Sequence, residues 1–136
     1  MIKDLIENDP LLASLFEKSL FTQVEIDSLL VNKSVLLDGE GGLPEMIKRK
    51  DGDNVSKGAF VRSLKQGKDN FKGVFYSLIL LSYLGFLSDK EIKSVFRLID
   101  VLDNLRENEV IEERVDDVLN VINEAIDRLT DTNEMI

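Results

Sequence analysis

Between residues 54 and 70 the chain reads NVSKGAFVRSLKQGKDN, and its side-chain types suit contact with a nucleic-acid duplex. A guanidinium such as Arg62 can donate two parallel hydrogen bonds to a guanine edge, and a carboxamide such as Gln66 can pair with adenine. The ammonium groups of Lys57, Lys65 and Lys68 can neutralise phosphates, and Gly58, with no side chain, leaves room for a backbone or base to come close. If the stretch is helical, with about 100° between successive residues, Gly58, Arg62, Lys65 and Gln66 point one way and Phe60 and Leu64 the other. Ser56 is a suitable N-cap for that helix, and Lys57 falls in its first turn. A solvated basic face on an ordinary amphipathic helix has the same composition. The alternative of a protein interaction or oligomerisation module without nucleic acid therefore stays open.

VSKGAFVRSL, Val55 to Leu64, resembles the turn and recognition helix of lactose-repressor-type regulators. In that family an apolar residue, Ser, two base-reading positions, a small residue, an apolar residue and then Arg and Leu recur at this spacing. The resemblance implies that Lys57, Gly58 and Arg62 occupy base-contacting positions, and that Leu43, Met46 and Ile47 belong to a supporting first helix. It spans residues 43 to 66. The wider run SKGAFVRSLKQGKDNFKGVFYSLILLSYLGFL is also similar to a group of small, uncharacterised archaeal proteins with a helix-turn-helix-like centre, a likeness that implies no established activity.

The charge distribution bears on the same question. The chain is acidic, with a net charge of −9, but residues 47–72 carry eight basic and three acidic side chains whereas residues 100–136 carry three and twelve. Exposed charges farther apart than a Debye length, about 8 Å at physiological salt, are largely screened from each other, so a local basic island can dock where the whole chain would be repelled. Any such binding is expected to weaken with salt.

Other chemistries find less support. The sequence has neither Cys nor His, which removes disulfides, thiolate nucleophiles, imidazole acid–base work and the usual zinc ligands. DGDN (51–54) lacks the further oxygen ligands and terminal Glu of a calcium loop, and no glycine-rich loop ends in Gly-Lys-Ser/Thr, so DGDN and DGEGG (38–42) read as turns. The carboxylates from Glu107 to Asp117 are expected on a solvated helix face. No enzyme, cofactor, metal or small-molecule substrate is expected. MIKDLIENDP shows no basic region followed by an apolar run, and the longest apolar stretch, Val74 to Leu87, is too short to span a bilayer, so a soluble cytoplasmic protein without a membrane partner is expected.

The elements that would position the basic face are helical throughout. Asp9-Pro10 opens a short helix through Leu11, Leu12, Leu15 and Phe16. Thr22 with Glu25 forms a capping box ahead of Ile26, Leu29 and Leu30. A small helix runs from Leu43 to about Lys50. Phe71 to Leu87, apolar nearly all round, is expected as the central buried helix, with Gly85 marking a bend. Ser88 and Glu91 cap a helix carrying Ile92, Val95, Phe96, Leu98, Ile99 and Leu102. From Glu107 to Leu129, Ile111, Val115, Val118, Ile122, Ala125 and Leu129 fall at heptad spacing, which suits either packing within the same bundle or a homodimer interface through Ile111, Val115, Val118, Ile122 and Leu129. Residues 130–136 are expected to fray.

The expectation is therefore an all-α, single-domain bundle over residues 1–136 with about six helices and an embedded helix-turn-helix at 43–67. It would act as a homodimeric, DNA-binding transcriptional regulator whose recognition helix is 56–66 and whose heptad helix is 107–129.

Overall fold

The computed structural model describes residues 1–39, 41–50, 56–107 and 111–130. Among them every regular element is a helix: α1 (Ile2–Glu7), α2 (Pro10–Lys18), α3 (Gln23–Asp38), α4 (Gly42–Lys50), α5 (Lys57–Tyr83), α6 (Asp89–Glu107) and α7 (Ile111–Thr130). The DGDN turn, Val55 and residues 131–136 lie outside the described residues.

The all-α architecture expected from the sequence is present, and the chain divides into two compact units, Met1–Asn8 with Leu12–Tyr76 and Asp9–Leu11 with Ser77–Ile136. The first unit is organised by α3. Thr22 and Glu25 close a reciprocal capping box at its start: the Thr22 hydroxyl accepts from the Glu25 amide at 3.3 Å, and Glu25 Oε1 accepts from the Thr22 amide at 2.8 Å. At its other end Gly39, in the left-handed conformation, donates back to the Val35 carbonyl. Val31 and Val35 of α3, Met46 of α4 and Phe60 of α5 form the core, flanked by Leu43, Ile47 and Leu64. Burial of apolar surface at Phe60, which is fully enclosed, fixes the start of α5 on α3 and α4, and its loss is expected to cost about 3–5 kcal/mol. α1 docks on α3 through the buried Asp27, whose carboxylate accepts from the Ile2 amide at 2.8 Å.

Two helices expected to be separate are one. α5 runs for 27 residues through GKDN (67–70), a segment of low helix propensity that local reasoning breaks. Tertiary contacts hold it together. Gly67 is buried against α3, with no room between it and Leu29, and the Asn70 amide donates to Glu25 Oε2 at 2.9 Å. α5 then ends in a Schellman arrangement, with Phe86 N–H bonded to the Leu81 carbonyl, Gly85 N–H to the Ser82 carbonyl, and Gly85 at φ 86° where any other residue would be strained.

The expected central hub is not buried. Phe75 is 53% exposed, Tyr76 73%, Ile79 64% and Tyr83 88%. All-round apolarity says only that water is a poor neighbour for a helix and leaves open which chain covers it.

In the second unit α6 starts at Ser88, whose hydroxyl accepts from the Glu91 amide and donates to Glu91 Oε1. This is a variant of the expected box, with the hydroxyl rather than the backbone amide held by the glutamate. α6 contacts α7, which departs from helical geometry at Arg114 (φ −125°, ψ 21°).

Candidate nucleic-acid interface

The first turns of α5 are set by Ser56. Its hydroxyl accepts from the Ala59 amide at 3.2 Å and its carbonyl from the Phe60 amide at 2.9 Å, which starts the helix where the sequence places it. Phe60 and Gly67 are buried and Leu64 half-buried on the side facing α3 and α4. With that side fixed, the helical repeat fixes the other. Lys57, Gly58, Arg62, Lys65, Gln66 and Lys68 are all exposed. Gly58 and Gln66 are separated by about 12 Å along the axis at 1.5 Å per residue, close to the width of a major groove. The first turn of α5 contains no acidic side chain, so nothing there opposes the positive end of the helix dipole. A Cβ at Gly58 would meet nothing within 4 Å, so this face is open. Among the described residues, none of Lys57, Arg62, Lys65 and Lys68 makes an ion pair.

Arg49, the other guanidinium of the basic island, has a different role. It donates to Asp38 Oδ2 at 2.6 Å, to Glu45 Oε1 at 3.2 Å and to the Ser34 hydroxyl, tying α4 to the end of α3. The hydrogen bond to Asp38, followed by that to Glu45, raises its pKa above the usual guanidinium value. It is a clamp between α4 and the end of α3. Leu43, Met46 and Ile47 lie on that same α4 and face the core.

Asp69 escaped the sequence reading. It is exposed, and eleven residues beyond Gly58 it returns to within about 20° of the same azimuth, which puts a carboxylate at the far end of the basic face. Arithmetic on the spacing would have found it. Glu25 and Asn70 were missed for another reason: they meet across 45 positions of sequence, and no local pattern announces such a pair.

Of the candidate dimer residues, Ile122 is 4% exposed within the single chain. Val115, Val118 and Leu129 are half-buried on the helix that contacts α6, and the Ile111 side chain lies outside the described residues. The break at Arg114 falls between Ile111 and Val115, so the heptad register is not carried by one uninterrupted helix. Burial of Ile122 fits the alternative in which this seam packs inside the chain, because a side chain already enclosed has little surface left for a partner.

Among the described residues no group of three or more His, Cys, Asp or Glu side chains could hold a metal ion, and no helix is long and apolar enough to cross a membrane. No family model, curated protein or solved structure matches the chain.

Proposed function

We propose that this protein binds double-stranded DNA, with the first three turns of α5 entering the major groove and α3 and α4 forming the frame that holds them. The observation that carries the reading is the pairing of a fixed inner side with a free outer one. Phe60 and Gly67 are buried, while Lys57, Arg62, Lys65 and Lys68 are exposed and without an ion partner among the described residues. In this reading Arg62 and Gln66 contact base edges, and Gly58 lets the helix approach closely. The three lysines contact phosphates and set the affinity without choosing the sequence.

Fluorescence anisotropy of a labelled random-sequence duplex pool tests it. Three phosphate contacts per copy give a salt slope of about −2.7, so affinity should fall about 40-fold between 50 and 200 mM salt. Absence of any anisotropy change at about 50 mM salt and high protein concentration would remove the proposal. A second reading, a protein interaction module that does not use DNA, is favoured by the exposed apolar side chains in the second half of α5.

A further inference from the structure

Five cations lie on α5 between Lys57 and Lys72, and four of them share one flank of the helix. At about 100° per residue, Lys57, Lys65, Lys68 and Lys72 fall within an arc of about 80° that begins about 70° round from the buried side set by Phe60 and Gly67. The matching flank on the other side holds Ala59, Ser63, Gln66, Asn70 and Gly73, none of them charged. Asp69 falls outside the lysine arc, within about 20° of Arg62 on the outermost side. All four lysines are exposed, belong to the first compact unit and make no ion pair among the described residues. A helix face that is merely solvated mixes its charges around the exposed surface. Here they are sorted by flank.

We infer that the lysine flank of α5 is a track for one phosphodiester strand of the duplex, with Lys72 as a fourth phosphate contact beyond the turns that enter the groove. The inference rests on the DNA reading above and adds to it which strand is held and how far along the helix. From Lys57 to Lys72 the track is about 22 Å long at 1.5 Å per residue, longer than the roughly 12 Å width of the major groove. One strand carries a phosphate about every 3.4 Å of duplex axis, so a track of this length passes about six and each lysine can meet its own. Contact with both strands would need cations on both flanks. The second flank has none, and its polar groups are largely engaged within the chain: the Ser63 hydroxyl donates to the Ala59 carbonyl and the Asn70 amide to Glu25. Gln66 is the side chain there left without a hydrogen-bond partner among the described residues, which suits a base edge and not a second backbone.

Fluorescence anisotropy against salt, on the full chain and a random-sequence duplex pool, counts the contacts. Four give a slope of about −3.6, a fall in affinity of about 150-fold between 50 and 200 mM salt, where Lys57, Lys65 and Lys68 alone give about −2.7. Lys72→Ala should bring the slope to about −2.7 and Lys72→Arg should keep it near −3.6. Lys33→Ala removes an exposed charge from the side of α3 opposite Val31 and Val35 and should leave the slope unchanged. A second pool carries methylphosphonate linkages that neutralise one strand of each duplex. The protein can turn to meet the charged strand, so about three-quarters of the slope should remain, at about 0.7 per contact against 0.9 for the full duplex. Duplex binding with a wild-type slope near −2.7 that Lys72→Ala does not change would overturn the fourth contact. Loss of more than half of the slope on the one-strand-neutral pool would overturn the single-strand track, because contacts divided between two strands lose half their number. Both results leave the DNA reading standing. Wild type that binds no duplex at about 50 mM salt removes that reading and the track with it.

Discussion

Replacing Gly67 with alanine tests the crossing of α5 over α3, the contact on which the orientation of the basic face depends. A Cβ there would stand 3.1 Å from Leu29 Cγ and 3.2 Å from Leu29 Cδ1 and from the Glu25 carbonyl oxygen, where ordinary contact begins near 3.4 Å. Leu29 can rotate away. The Glu25 carbonyl cannot easily do so, because the first turn of α3 is fixed by its capping box. Alanine is favoured over glycine in a helix interior by about 1 kcal/mol, and adding a methyl group to a filled site costs about 1–3 kcal/mol. The expected net effect is a loss of about 0–2 kcal/mol. Gly73, further along α5, supplies the control: a Cβ there meets nothing within 4 Å, so alanine keeps the full gain of about 1 kcal/mol. Urea denaturation followed by far-ultraviolet circular dichroism should thus rank Gly73→Ala above wild type and Gly67→Ala at or below it, a gap of about 1–3 kcal/mol between two chemically identical changes in one helix. Equal stabilisation by both would refute a close approach at Gly67 and, with it, the fixed azimuth of Arg62 and Lys65.

The DNA reading separates specificity from affinity. Arg62→Ala should cost about 1–3 kcal/mol and relax base preference in a binding-site selection, whereas Lys65→Ala should weaken all duplexes alike and reduce the salt slope by about 1. Asp69→Asn removes the one carboxylate on the basic azimuth, and a threefold to tenfold tightening on any duplex at about 50 mM salt is expected by anisotropy; no change would place Asp69 outside the contact. Ser28 is fully enclosed and its hydroxyl has no hydrogen-bond partner among the described residues. Ser28→Ala should therefore raise stability by about 1 kcal/mol, measured by thermal unfolding.

Local chemistry was legible wherever a short-range rule decided the structure. Thr22 with Glu25, Ser56 and Ser88 all start helices, Pro10 opens α2, and Gly39 and Gly41, both at positive φ, fall between α3 and α4, because caps and glycine turns act within a few residues. α1 was not legible, since its six residues have no side-chain cap and its first amide is held by Asp27, twenty-five positions away. The continuity of α5 through GKDN was not legible, because propensity there is low and Gly67 and Asn70 make their contacts with α3, far away in sequence. The basic face followed from helical periodicity once Phe60 faced inward. The apolar segment after it showed its composition plainly but not its exposure, which depends on what packs beside it.

Glu25 ties these scales together. One oxygen of its carboxylate closes the first turn of α3, the other receives Asn70 from the middle of α5, and its backbone carbonyl lies beneath Gly67. Fraying of the α3 terminus and lifting of α5 therefore break the same set of bonds, so neither can occur cheaply without the other. The two helices should open as one cooperative unit, with the amides of Glu25, Ile26 and the α5 turn around Asn70 exchanging with solvent at a common rate. A helix end, ordinarily the first part of a fold to loosen, should here open no faster than the turn of α5 that it holds.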